Sequence, residues 1–357
     1  MSGRPPVAFR NQLEPPSLVA HFLRHPPLGF AVRGDAPAPA FTAPFDLLTT
    51  ADDALKQRAA AAPLYRHWSR WLRIHTAFVG TTVSEYALLP VAGDADALAA
   101  ALFGRLGPDH KLTIAKDIPQ RSPLLPEADN DFADAFVAAC ARQGCITVEG
   151  QALAYVPIDF PDVDAYLARL STSRRKNLRR KLKSRNELAV HRIPCGEAFA
   201  ADAAVDAYYA LYQQVFAQSE VHFDQLGRDF FAAVLRDDTA GGMVFEYRRA
   251  ADGALLGWNL CFETGGKLID KYIGFSYPAA REANLYFVSW MVNLEYAIER
   301  GLSHYVAGWT DPEVKRQLGA SFTFTRHAVY VRNPLLRALA RRFAGHFESD
   351  RQWSDAA

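Results

Sequence analysis

The chain has 357 residues, of which 50% are hydrophobic and 22% charged. That length suits two domains of ordinary size, and the composition excludes a disordered or fibrous chain. A formal charge of +1 excludes polyanion binding through the overall field and leaves it to a local patch.

Residues 1–50 are rich in proline, with pairs at 5–6, 15–16 and 26–27, and predict an extended wrap or loosely ordered arm. The N-terminus carries prolines and charges where a signal peptide needs an unbroken apolar stretch. No window holds the ~18 apolar residues of a membrane span, so a cytoplasmic location is expected. The next stretch has helical composition broken at Pro63, and TAFVGTTVSEYALLP reads as strand and turn around Gly80. A helix at 94–105, a strand at 111–116, a helix at 130–143 and strands at 145–149 and 153–158 follow. This alternation argues a layered sheet with helices packed on it. Asp162 or Asp164 is placed to cap the run YLARLS, and the domain seam is expected near 160.

The second half predicts a basic helix at 172–186, a strand at 188–193 and helices at 198–217 and 227–236. Three strands follow, at 242–249, 254–263 and 267–275. Asp252-Gly253 and Gly265-Gly266 lie between those strands at hairpin spacing and predict antiparallel pairing. A helix at 283–300 closes at Gly301. A strand at 304–307, a helical turn at 311–318, a strand at 322–332 and a helix at 334–346 complete the chain. In that last helix Leu335, Leu336, Leu339 and Phe343 share one side, and the stripe is expected to pack on the domain rather than on a membrane surface.

Cys140, Cys145, Cys195 and Cys261 have neither C-x-x-C spacing nor a flanking zinc-type histidine, so no disulfide framework and no metal is expected. G-x-S-x-G, Walker A, H-E-x-x-H and a dinucleotide G-x-G-x-x-G in its strand context are missing. Hydrolase, NTPase, zinc protease and Rossmann dehydrogenase readings are disfavoured accordingly.

The element order of the second half, with LIDKYIGFSYPAAREANLYFVSWMVNLEYAIERGLSHYVAGWTDPEVKRQLGASF, resembles the BioF-type or CelD-like acetyltransferase domain of the GNAT superfamily. The matching features are Glu299-Arg300-Gly301-Leu302 closing a long helix, then a short strand and an acidic turn running from Gly308 to Lys315. The upstream YLARLSTSRRKNLRRKLK is similar to the basic helix of the Fem-type aminoacyltransferases, which carry two GNAT-like units in tandem. The resemblance implies an α/β fold, a mixed, largely antiparallel GNAT-like sheet flanked by helices. It implies an N-terminal arm with a degenerate first unit over 1–160 and an acyltransferase unit over 161–357. It also implies an acyl-CoA donor. However, FSYPAAREANLYF has no glycine after Gly274, where the family cradles the coenzyme A pyrophosphate with a glycine turn. Amides of Glu282, Ala283 and Asn284 at the helix N-terminus remain as an alternative anion cradle.

Several residues are candidates for chemistry, each with a structural alternative. The run from Arg174 to Arg185 holds eight Lys/Arg and no acid. Its arginines, Arg175 and Arg179 among them, either contact an anion such as coenzyme A or tRNA phosphate or form a solvated face. Trp309, Asp311, Glu313 and Lys315 follow a strand end where α/β sites lie. Asp311 and Lys315, four apart, share a helix face and are read as a catalytic pair, with Glu313 turned to solvent or capping. The alternative is an ordinary cap by Thr310 or Asp311. Asp270, a further catalytic candidate, and Tyr272 are placed by alternation on one face of their strand and Lys271 on the other. His222, near Glu220 and Asp224, is either a substrate contact or solvated surface. Asn259 is a candidate substrate contact beside Trp258.

The working expectation is transfer of an acyl group from an acyl-CoA-type thioester to a small amine or amino-acid-like acceptor. An amine attack needs a base, and the tetrahedral oxyanion needs donors, here backbone amides of 270–275. The alternatives are a Fem-like aminoacyl-tRNA-dependent transferase and an inactive GNAT-fold binding module.

Overall fold

The computed structural model describes residues 8–48, 57–58, 60–63, 65–219 and 222–343. In chain order the elements are β1 (Phe9–Arg10), α1 (Pro16–Arg24), β2 (Ala31–Val32), β3 (Ala40–Asp46), β4 (Arg73–Val79), β5 (Leu89–Pro90), α2 (Ala95–Leu106), β6 (Leu112–Pro119), α3 (Glu127–Arg142) and β7 (Ile146–Pro157). Then come α4 (Val163–Arg169), α5 (Thr172–Lys181), β8 (Leu188–Pro194), α6 (Asp202–Gln218), α7 (Arg228–Leu235), β9 (Gly242–Arg249), β10 (Leu255–Thr264) and β11 (Lys267–Phe275). The chain ends with α8 (Leu285–Glu299), β12 (His304–Gly308), α9 (Pro312–Gln317), β13 (Ser321–Val331) and α10 (Pro334–Phe343). The fold is mixed α/β, with largely antiparallel strands flanked by helices.

Two compact units divide the chain differently from the expected cut at 160. One comprises residues 1–12, 26–152 and 323–357, the other 13–25 and 153–322. The seam falls inside β7, which is one strand where two were expected, and the C-terminal strand returns to the first unit. The proline-rich start is also more ordered than expected. Pro16 opens α1, where a missing N–H costs nothing, and Leu18, Val19 and Phe22 bury one face of it.

In the first unit the strand order is β2-β3-β4-β6-β13, with β4 and β6 parallel and the other pairs antiparallel. Leu98, Leu102, Phe103 and Leu106 of α2 meet Phe136 of α3 in its core. The second unit repeats the construction with the order β7-β12-β11-β10-β9-β8, and here β11 and β12 are the parallel pair. Its meander is antiparallel, as Asp252-Gly253 and Gly265-Gly266 predict. Gly265 and Gly266, at φ 55 and 72, take the left-handed conformation a tight hairpin demands. Asp162, rather than Asp164, caps α4 by accepting from the amide of Ala165 at 2.7 Å. The basic helix ends earlier than expected, at Lys181, and residues 182–187 continue as a 3-10 turn.

Candidate active site

The parallel ladder between β11 and β12 runs only over Lys267–Ile269 against His304–Val306, although both strands continue. Beyond Ile269 the β12 edge of β11 has no strand paired to it among the described residues, and the first residue past the ladder is Asp270. Gly308 ends β12 at φ 78, a conformation suited to glycine. A Cβ there would stand 3.9 Å from both the Asp270 carbonyl oxygen and Lys315 Nζ. The splay therefore brings a carboxylate, an ammonium and bare strand backbone to one place.

Asp270 sits in a dense polar network. Its Oδ2 accepts from Tyr305 Oη at 2.9 Å and from Asn293 Nδ2 at 2.9 Å, and its Oδ1 accepts from Asn259 Nδ2 at 3.3 Å. Asn259 is fixed in turn by Tyr247, whose hydroxyl donates to Oδ1 at 2.8 Å, and by Asn293 at 3.0 Å. Burial raises the Asp270 carboxyl above its ordinary 3.8, against the opposing pull of these hydrogen bonds and of the Lys315 charge. Asp270 nevertheless keeps partial exposure, so the acid is both desolvated and reachable. Asn259 is fully buried and positions the carboxylate; it does not present itself to a ligand.

The expected alternation along β11 fails at this point. Leu260 of β10 pairs with Tyr272 and Cys261 pairs with Asp270, so Lys271 is an extra, bulged residue. The bulge reverses the phase and sends Asp270 and Tyr272 to opposite faces. Asp270 meets Asn293 of α8, whereas Tyr272 packs edge-on against Phe230 and Phe231 of α7 at 5.8 and 5.4 Å. Lys271 is held by Glu14, Nζ to Oε1 at 3.6 Å, in a pair whose side chains keep 7% and 0% exposure.

Lys315 is buried and donates from Nζ to the Gly308 carbonyl at 3.0 Å, within reach of the Asp270 charge. Asp311 occupies the N-cap position of α9 in the left-handed region, φ 53, and its side chain caps nothing. Its charge acts on the Tyr277 and Tyr286 hydroxyls. Asp311 is exposed, whereas Lys315 is buried and its charge acts on the Asp270 carboxyl. Glu313 is exposed, as expected. Trp309 lies half-buried at the end of β12.

The alternative anion cradle is already spent. The amide of Glu282 donates to the Pro278 carbonyl at 3.3 Å, that of Ala283 to Ala279 at 3.0 Å and that of Asn284 to Arg281 at 3.0 Å. In the basic run Arg174, Lys176, Arg180 and Lys183 are exposed, and others have partners within the chain. Arg179 reaches Asp164 at 3.3 Å, Arg185 pairs with Glu295 at 2.5 Å, and Arg175 donates to the Ala168 carbonyl at 3.4 Å. Exposed His222 stacks edge-on with Phe216 at 5.0 Å, and Asp224 acts on Tyr212 beside it, in the aromatic cluster of α6 and α7. They therefore belong to the Tyr272 face and not to the face of Asp270. Glu220 lies outside the described residues.

Three contributors were missed by sequence reasoning: Asn293, Tyr305 and Tyr286. Asn293 had a signal, a lone amide in the apolar run LYFVSWMVNLEYAIE, where an unpaired polar group would be costly. The Tyr286 hydroxyl is buried without a hydrogen-bond partner among the described residues, and it feels both Asp311 and Asp270.

The parallel pair of the first unit differs: β4 ends where its pairing with β6 ends, and the space beyond is filled by the unit's own chain. Pairing of β4 and β6 ends at Val79 and Ala115, and Lys116 then crosses to donate to the Thr81 carbonyl at 2.9 Å. Gly80 leaves the room, since a Cβ there would stand 3.1 Å from the Lys116 side chain.

A family profile called FemAB-like and described as peptidoglycan biosynthesis/recognition matches residues 128–355. No curated protein matches the chain. Among solved structures, FemX is similar at 12% identity over 91% of this chain and 98% of its own, TM-score 0.49. L-PGS from Bacillus licheniformis is similar at 12% identity over 94% and 98%, TM-score 0.49. A tandem GNAT protein from the clavulanic acid biosynthesis pathway gives 15% identity over 89% and 88%, TM-score 0.43.

Proposed function

The chain belongs to the FemAB-like family, and from that premise we propose that it is a transferase moving an aminoacyl group from an ester donor to an amine acceptor, with its centre at Asp270 and Lys315. The observation that carries the reading is the splay itself. It sets a desolvated, reachable carboxylate and a buried ammonium beside strand backbone with open donors.

The donor carbonyl would lie along β11 beyond Ile269, its oxygen toward strand amides and the Lys315 ammonium. The acceptor amine attacks the carbonyl carbon and gives up a proton to the Asp270 carboxylate. The C–N bond forms, and negative charge collects on the carbonyl oxygen, held by those donors. Collapse breaks the ester C–O bond, and the leaving oxygen takes the proton that the Asp270 carboxylate accepted from the amine.

The donor preference departs from the first expectation of acyl-CoA. Amides of 282–284 are used around the turn Ala279–Glu282, which speaks against these three as the cradle of a coenzyme A pyrophosphate. An aminoacyl-tRNA has no such requirement, and the family's description points to an acceptor of the peptidoglycan-precursor kind. Single-turnover transfer from aminoacyl-tRNA and from acyl-CoA to an amine-bearing muropeptide tests the choice. Transfer from tRNA alone is expected, and transfer from acyl-CoA alone would reverse the donor. Asp270→Asn should lower the rate by about 10²–10⁴-fold and Lys315→Met by about 10²–10³-fold with the fold retained. Unchanged rates in both variants would remove this centre.

A further inference from the structure

The helix α10 sits on the first unit the wrong way round for a packed amphipathic helix. On a helical wheel Leu335, Leu339 and Leu336 span an arc of about 100°, with Arg337 and Arg341 on the opposite side. Packing of the leucine stripe was the expectation. Instead Leu335, Leu336 and Leu339 keep 81%, 56% and 52% exposure. The arginine side does the docking. Arg337 Nε donates to the Val331 carbonyl at 2.7 Å and its guanidinium lies 4.2 Å from the Tyr330 ring centroid, while Arg341 Nη2 donates to the Gly144 carbonyl at 3.3 Å. Asn333 caps the helix, its Oδ1 accepting from the amides of Leu335 at 2.9 Å and Leu336 at 3.2 Å. The outward leucine face is thus set by specific contacts on its reverse side.

The surroundings of the stripe indicate what covers it. Arg342 is exposed beside Leu335 on the wheel, Arg332 is exposed just ahead of the helix with its guanidinium donating to the Pro108 carbonyl at 2.8 Å, and residues 323–347 contain no Asp or Glu. An apolar stripe flanked by arginine in a segment without acids is complementary to an anionic lipid surface, where leucines enter the acyl boundary and arginines stay with the headgroups. A second copy of the chain fits less well. Three leucines fall far short of the ~800 Å² per partner that a stable protein interface buries. Two such acid-free, basic segments would also repel across a twofold axis.

We infer that α10 is a lipid-surface docking helix, holding the protein on anionic membranes through Leu335, Leu336 and Leu339. The inference stands apart from the transferase reading, since its test uses no substrate. The intact chain is floated with vesicles of phosphatidylcholine alone and with vesicles containing phosphatidylglycerol, at low and high salt. It should float with the anionic vesicles, and less so at high salt. Leu335→Gln with Leu339→Gln should reduce partitioning by about tenfold or more per leucine. Its melting temperature should stay that of the wild type, because both side chains are already in water. Arg342→Gln should weaken binding to anionic vesicles only. Failure to float, equal flotation of the double variant, or equal binding to neutral vesicles would each overturn the inference. So would a concentration-dependent dimer abolished by the double variant, or flotation gained only on deleting 348–357, since the stripe would then belong to a second copy or to the chain's own tail.

Discussion

Asp270 carries its charge into surroundings that disfavour it, and this has opposite effects on chemistry and on stability. Its folded-state value lies above the 3.8 of an ordinary aspartate, so the native protein holds a proton at pH values where the unfolded chain has released it. Stability from this group is therefore greatest at low pH and is withdrawn as pH rises from the ordinary carboxylate range through the raised value. Activity follows the other sign, because the base works only after the proton has left. Asp270→Asn should accordingly melt at or above the wild-type temperature in mildly alkaline buffer, with the difference shrinking toward zero in acid. A variant that melts lower in alkali would mean that the carboxylate stabilises the fold. The same residue shows what could be read from sequence. A charged pair inside an apolar strand marked 270–271 as a wet or partnered place, and the chemistry of the side chain was legible. Its face was not, because strict alternation had no way to register the bulge at Lys271. Asn293 and Tyr305 lie 23 and 35 positions away in sequence from Asp270, and no local pattern announces that they converge on it.

Among the elements, the bulge in β11 decides which side chains reach the splay, and the N-terminal segment holds it. Glu14, fully buried, pairs with the bulged Lys271 just ahead of α1, which belongs to the same unit. Removing one partner leaves an uncompensated buried charge, so Glu14→Ala should cost about 3–5 kcal/mol in denaturant unfolding. Replacing both partners by apolar groups of similar volume, Glu14→Leu with Lys271→Met, should recover most of that loss. Losses that simply add would show that the two charges do not act as a pair. A proline-rich stretch read as a loose arm therefore holds a strand of the second unit. The misreading has a physical source: Pro16 was counted as a breaker, although at the first helical position it initiates. Where local chemistry does settle the backbone, as with Asp252-Gly253 and Gly265-Gly266, expectation and structure agree. The amphipathic pattern of α10 was equally plain in the sequence, but periodicity says nothing about which face turns inward. Here carbonyls of Val331 and Gly144 bind the arginines.

At the scale of the whole molecule, the two units share one plan, a meander leading to a parallel pair, yet they are not contiguous pieces of chain. The first unit takes its last strand from the C-terminal end. β13 runs antiparallel to β6, pairing Val331 with Leu112 and Thr325 with Pro119. Side chains tie the same strand in, with Gln120 Nε2 donating to the Thr325 carbonyl at 2.7 Å and the amide of Asp117 donating to His327 Nδ1 at 3.0 Å. A chain cut at 160, where composition and helix spacing suggested a boundary, would leave β6 as an open edge, stripped of those partners. It would also take residues 13–25 from the unit they pack in. Fragment 1–160 should therefore lack a cooperative unfolding transition and aggregate. Supplying a peptide spanning 321–343 in trans should restore protection of the amides of β6 in hydrogen exchange. A fragment 1–160 that melts cooperatively by itself would mean that the returning strand is an accessory. In that case residues 323–343 would be dispensable to the core of α2 and α3, and their removal from the full chain should leave the first unit's melting unchanged.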